Sequence, residues 1–218
     1  MDNPQASTDR VYAPTADRVL AACEQFDQEA RPIEWVLKQL FQKFPENTDF
    51  DEVTVKTKVL NTLYSTRILA VNEVAEHVRN LAIDPDLRAG KPGIVDRIAV
   101  VRMKKTGKIY KFYSFASKYC SWHNQRSYPI WDSRVREYLT WLRQRPEGSF
   151  LVKNPDSWTE YAEFVDMINN LRKLDTLSEF EFSFKQIDKF LYTEGGKLIT
   201  EKERLRAAKK DTAASTQL

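Results

Sequence analysis

Lys118 and Asp132 are the residues of this chain whose types and settings can do chemistry. Lys118 stands in "SFASKYCSWH", among Phe115, Ala116, Tyr119 and Cys120. Asp132 stands in "YPIWDSRV", after Pro129, Ile130 and Trp131 and before a helix-like run. An ammonium against poorly hydrated aromatic surface tends toward the neutral amine. A neutral amine is a nucleophile that can form a Schiff base. On a helix edge the same side chain would instead carry its head out to water. Asp132 can accept from the first free N–H groups of the helix that follows it. A carboxylate held there is also placed to stabilise a developing cation. Both readings of each residue stand open at the level of sequence. Together they fit cleavage at a sugar carbon, with a cation forming and an amine able to trap it.

Periodicity gives the elements that must hold these two residues. "PTADRVLAACEQFDQEA" predicts a helix capped by Thr15, and "PIEWVLKQLFQKF" a second one opened by Pro32. "DFDEVTVKTKVLNTLYSTRI" begins with strand-like alternation at Val53 and Val55 but continues at helical spacing, and is read as helix. "AVNEVAEHVRNLAI" is another helix, and "DPDLRAGKPG" a turn-rich break. "IVDRIAVVRM" could be a strand or a short helix and is read as helix from its helical neighbours; "KKTGK" is read as a basic turn, and Ile109–His123 as the helix carrying Lys118. A helix follows Asp132. A further one is capped by Asp156, and a last one runs from a Ser183 cap to Gly195 at the position after its end.

No internal repeat and no β-hairpin is expected. The fold class is all-α, about eight helices in two lobes that meet around 114–132, with the active site between the lobes. Residues 1–13 are expected to be flexible, 14–200 to form the helical domain, and 201–218 to be a polar basic tail without order.

Composition narrows the function classes. The chain has 218 residues, 42% hydrophobic and 12% aromatic, enough for one substantial core. With 34 basic and 31 acidic residues the charge is only +3, so any nucleic-acid footprint must be local. The two cysteines, Cys23 and Cys120, give no disulfide framework and too few ligands for an iron–sulfur cluster. The two histidines, His77 and His123, are far apart, which argues against zinc. No apolar run approaches the ~20 residues of a membrane span, and the first residues show no signal pattern. The expectation is a cytoplasmic monomer with no metal and no cofactor.

The stretch "SFASKY…YPIWDSRV" resembles the helix-hairpin-helix DNA glycosylases, in particular the 8-oxoguanine branch and its archaeal relatives. The resemblance touches most of residues 50–196 and is sharp over Ser114–Val135. It implies a glycosylase fold, a flipped base as substrate, Lys118 as the catalytic lysine and Asp132 as the catalytic aspartate. It makes "KKTGK" the hairpin, with the amides of Thr106 and Gly107 facing a phosphate. Leu60–Val78 would be the upstream helix pair, and Phe184–Gly196 the helix closing the pocket. The chain departs from the family in two places. Gly-x-Gly before the lysine is absent, and the lysine and aspartate stand closer together than in the oxoguanine enzymes. Those departures open a second substrate class beside oxidised purines, a bulky modified base in phage DNA.

Around this pair, Arg102, Lys104, Lys105, Lys108 and Lys111 form a basic cluster suited to phosphates, or an ordinary solvated face. Arg67 lies where it would fill the gap left by a flipped base. Arg134 follows Asp132 as a further DNA contact. Trp122, Tyr128 and Trp131 could stack on a base or simply build core. Asp188, in the closing helix, reads as a contact to the base or, more simply, as surface charge beside a neighbouring lysine, and Cys23 and His77 read as structural positions. Two other classes remain beside the enzyme: a non-catalytic helical nucleic-acid-binding module and a helical protein–protein adaptor.

Overall fold

The computed structural model describes residues 12–215, with side chains to residue 208. Its elements are α1 (Ala16–Lys43), α2 (Phe50–Tyr64), α3 (Val71–Asn80), α4 (Asp84–Arg88), α5 (Gly93–Ala99), β1 (Val100–Arg102) and β2 (Ile109–Lys111). They continue as α6 (Tyr113–His123), α7 (Ser133–Leu142), a 3-10 turn (Pro146–Gly148), α8 (Tyr161–Arg172), α9 (Asp175–Ser178) and α10 (Phe184–Ser215). The all-α expectation holds, with one small β ribbon added. The expected flexible start falls outside the described residues up to residue 11.

At the centre lies α6, in which every residue from Phe115 to Trp122 is buried. A helix enclosed on all sides must be wrapped by others. Here α2 and α5 pack against it, α7 follows it in the chain, and α10 packs along both α7 and α1. The α2 helix starts at Asp49, whose carboxylate accepts from the N–H groups of Asp51 and Glu52 at 2.9 and 3.0 Å. Its buried positions, Val53, Lys56, Thr57 and Leu60, follow helical spacing, so the Val53/Val55 alternation carries no strand. Lys56 is wholly buried. Its ammonium donates to the carbonyls of Phe44 and Glu46 and to Asn47 Oδ1 at 3.0, 2.7 and 2.7 Å. It thereby satisfies the backbone where α1 ends.

The structure corrects several boundaries. The two helices expected on either side of Pro32 are one, α1, with Pro32 in its interior. The carbonyl that Pro32 leaves without a donor belongs to Gln28, which is exposed, so water can serve it. Thr15 makes no side-chain cap. The break at Asp84 contains the short α4. The basic turn closes a true β-hairpin, with Val100, Val101 and Arg102 opposite Lys111, Tyr110 and Ile109. Ile109–Lys111 is therefore strand, and the helix begins only at Tyr113. Asp156 is no cap, since α8 starts at Tyr161, whose N–H donates to the Asp96 carboxylate of α5 at 3.0 Å.

Ser183 does cap α10, in a reciprocal pair with Gln186. That helix does not stop at Gly195. It runs on to Ser215, through the residues expected to lack order. Ala, Lys, Glu, Arg and Leu there are good helix formers. Lys202 also pairs with Glu137 of α7, and Arg204 with Glu201. Gly195 serves the crossing of α10 over α7, because a Cβ there would stand 2.0 Å from the carbonyl oxygen of Arg134. Gly195→Ala is expected to lower unfolding free energy by roughly 3 kcal/mol in urea titrations. Gly93→Ala, with nothing within 4 Å of the new methyl, should change it by less than about 0.5 kcal/mol.

Candidate functional site

The segment Tyr128–Asp132 is fixed residue by residue. Tyr128 Oη donates to the carbonyls of Asp86 and Lys91 at 3.1 and 3.3 Å. The Pro129 carbonyl accepts from Tyr161 Oη. The N–H of Ile130 donates to Asp188 Oδ1 at 3.0 Å. Trp131 exchanges hydrogen bonds with the Ser117 hydroxyl of α6, its N–H donating at 3.0 Å. Asp132 then caps α7, Oδ1 accepting from the N–H groups of Arg134 and Val135 at 3.0 and 3.1 Å.

The other oxygen of Asp132 faces Lys118. Lys118 Nζ donates to Asp132 Oδ2 and to Ser114 Oγ, both at 3.0 Å. Asp132 is thus a helix cap through one oxygen and the partner of Lys118 through the other. Lys118 is 3% exposed and does not snorkel. Its ammonium lies 5.3 Å from the centre of the Tyr64 ring. Burial pushes the Tyr64 hydroxyl well above its usual range, so it stays protonated. It accepts from Trp122 Nε1 at 3.2 Å.

Lys118 and Asp132 open into a cavity of about 80 Å³ whose wall also includes Tyr64, Ile130, Asp188 and Tyr192. Asp188 corrects the sequence reading most. It is no surface charge but 5% exposed. Its Oδ1 holds Ile130, while its Oδ2 is buried with no hydrogen-bond partner among the described residues. Burial pushes its carboxyl up to about 8, against the Ile130 N–H and the charges of Lys185 and Lys118, with Asp132 adding to the rise. At neutral pH it is therefore mainly the acid, with a proton to donate. A signal for this lay in the sequence. Phe184, Ile187, Asp188 and Leu191 share one helical face, and the other three are buried.

None of the three aromatics suggested for a base pocket lines this cavity. Tyr128 is core, held by the carbonyls named above. Trp131 packs edge-on against Trp158 and Phe164 at 5.4 and 5.1 Å. Trp122, one turn beyond Lys118, faces a separate open groove of about 1060 Å³. The aromatics in the cavity wall are Phe26, Tyr64 and Tyr192, from α1, α2 and α10. His123, in the groove wall, stays neutral, because burial and the Lys56 charge push it down to about 3.

The basic candidates are only partly free. Lys104 pairs with Glu76 at 2.5 Å, and its N–H donates to Glu73 at 2.7 Å. The Gly107 N–H is used inside the turn, on the Met103 carbonyl at 2.8 Å, with Gly107 at φ 66°. It is thus not the free amide expected for a phosphate. The Thr106 hydroxyl accepts from the Lys108 N–H, and Arg102 donates to the Gly107 carbonyl. Lys105, Lys108 and Lys111 are exposed along the hairpin. Arg134 lies flat on the Tyr192 ring at 3.9 Å. Arg67 is exposed at φ 60° on the loop after Tyr64, two residues before the 99% exposed Leu69.

Among the described residues no cluster of three metal-binding side chains occurs, and no helix is long and apolar enough to cross a membrane. Fold and site define an all-α protein with a lysine and two carboxyls around a small cavity. The chain belongs to the HI_0787_N family, whose N-terminal domain model matches residues 17–127. That region includes Lys118 but neither Asp132 nor Asp188. An uncharacterized protein of Haemophilus influenzae is 28% identical over 155 residues, 71% of each chain. No solved structure matches.

Proposed function

We propose that this protein is a DNA glycosylase that excises a damaged or modified base. The observation carrying the reading is the buried Lys118 amine 3.0 Å from Asp132 Oδ2 at the wall of a cavity. On this reading α2–α6 form one lobe, α1, α7 and α10 the other, and the ligand enters at their junction. The base is flipped toward Lys118. Asp188 offers its proton to an acceptor atom on the base. Asp132, as the carboxylate, stabilises positive charge on the sugar while the electrons of the C1′–N bond leave with the base, which picks up the Asp188 proton. Asp132 then takes a proton from Lys118, and the freed amine attacks C1′. Ring opening then gives an imine, and β-elimination can nick the strand. Where water attacks instead, an abasic site remains.

Arg67 and Leu69 would fill the gap in the stack, and Arg102, Lys105, Lys108 and Lys111 would meet phosphates. The test is incubation with DNA containing 8-oxoguanine, uracil, an abasic site or glucosylated hydroxymethylcytosine, with and without borohydride. Base release or a trapped adduct on one of these supports the enzyme. Binding without product on all of them supports a non-catalytic nucleic-acid module. Replacing Lys105, Lys108 and Lys111 by alanine should reduce the slope of log affinity against log salt by roughly 2 to 3, about one phosphate per lysine. An unchanged slope would remove the hairpin from the interface.

A further inference from the structure

The Lys118 cavity is too small for what it is proposed to bind. Ligand pockets start near ~300 Å³, and this one is about 80 Å³. Its cover is the middle of α1, with Phe26, Ala30, Ile33 and Glu34 in its wall. No side chain of that cover is fully buried. The buried residues of α1 are Ala16, Val19 and Ala22 near one end and Leu37 and Phe41 near the other. From Cys23 to Val36 no residue is buried, and Pro32 interrupts the hydrogen-bond ladder there. A helix fastened at both ends and thinly packed between them opens locally at low cost.

This span is tied to α10 by an edge-on contact of Phe26 with Tyr192 at 5.5 Å, by the Cys23 thiol donating to the Gln186 carbonyl, and by two ion pairs. Lys185 meets Glu34 at 2.6 Å, and Lys189 meets Asp27. All four residues also line the 1060 Å³ groove, and Glu34, Lys185 and Lys189 line the Lys118 cavity as well, so the pairs stand between the two. Lys185 lies 5.0 Å from the Trp122 ring and 5.7 Å from that of Phe26. Both lysines are therefore held in place, and among the described residues the carboxylates they ion-pair with belong to the cover. An incoming phosphodiester offers the same charge without the cover.

We propose that Lys185 and Lys189 are phosphate contacts of a polynucleotide strand lying in the groove, and that taking them from Glu34 and Asp27 releases Cys23–Val36 as a lid over Lys118. This rests on the reading of the Lys118 cavity as the ligand site, but its test needs no base excision. Reductive methylation with formaldehyde and dimethylamine–borane, read by mass spectrometry, reports the accessibility of each lysine. Lys56, buried beneath the other end of α1, reports general unfolding.

In the variant Asp27→Asn with Glu34→Gln, labelling of Lys118 should rise roughly tenfold while Lys56 stays slow. In the wild-type protein, adding oligothymidylate should have the same effect on Lys118 and should also protect Lys185 and Lys189. No gain at Lys118 in the variant, or a gain shared by Lys56, would overturn the lid. A gain in the variant without any effect of oligothymidylate would overturn the phosphate contact. Failure of base excision with both arms intact would leave the lid standing and remove only the glycosylase.

Discussion

Lys118→Gln is expected to abolish the borohydride-trapped adduct altogether and to slow base release by about 10³-fold on whichever base the protein accepts. Glutamine can keep a hydrogen bond to Asp132 or Ser114, so far-ultraviolet circular dichroism should be unchanged. Asp132→Asn should retain part of the α7 cap and yet slow release by about 10² to 10³-fold, since it removes the charge facing the sugar. Retention of the adduct in the lysine variant would assign the nucleophile to another amine. Base release at the wild-type rate would reduce Lys118 to a structural ion-pair partner. The size of the expected loss follows from the geometry: the amine has two acceptors, Ser114 and Asp132, and it borders the cavity.

The second large effect concerns stability and pH. Asp188 is raised in the folded protein from an ordinary 3.8 to about 8. A carboxyl raised in this way binds a proton in the folded state where the unfolded chain has lost it. Its contribution is therefore fully present below pH 3.8 and is lost as pH rises toward 8. The groups facing it are the Ile130 N–H, Lys185 on its own helix, Lys118 on α6, Asp132 before α7 and Tyr161 on α8.

The full span corresponds to a cost on the order of 5 kcal/mol. Asp188→Asn removes this titration while keeping an acceptor for Ile130. The variant should melt with the wild type near pH 4 and above it from pH 7 to 8. Parallel melting curves at every pH would show that Asp188 is ionised in the folded protein. A neutral donor without an acceptor is an arrangement that costs stability, and sites that bind ligands are where proteins keep such arrangements.

The pairing of Lys118 with Asp132 was legible because both lie in short-range patterns: a lysine inside an aromatic helix, and an aspartate directly before one. Asp188 was not, although the period of α10 put it on the buried face. Lys185 and Lys189 flank it and made the stretch look solvated. Trp122, Tyr128 and Trp131 were placed near the site correctly in sequence and wrongly in space. Whether an aromatic faces a cavity or a neighbouring helix depends on packing that comes from α2, α8 and α10.

The hairpin was missed because three-residue strands leave almost no alternation to read. The continuation of α10 was missed for a different reason. Residues 202–208 are exposed, and their helicity rests on propensity and ion pairs rather than on an apolar stripe.

Asp132 fastens a helix with one oxygen and holds an amine with the other. The first turn of α7 and the orientation of Lys118 are consequently one mechanical unit: that end of the helix cannot fray without letting the lysine go. Most helix ends spend some time unwound, and a catalytic group on such an end would wander with it. Here the fraying is suppressed from the side that faces the cavity. The fold alone aims the amine, and on the proposed reading little ordering would remain to be done at the moment of reaction.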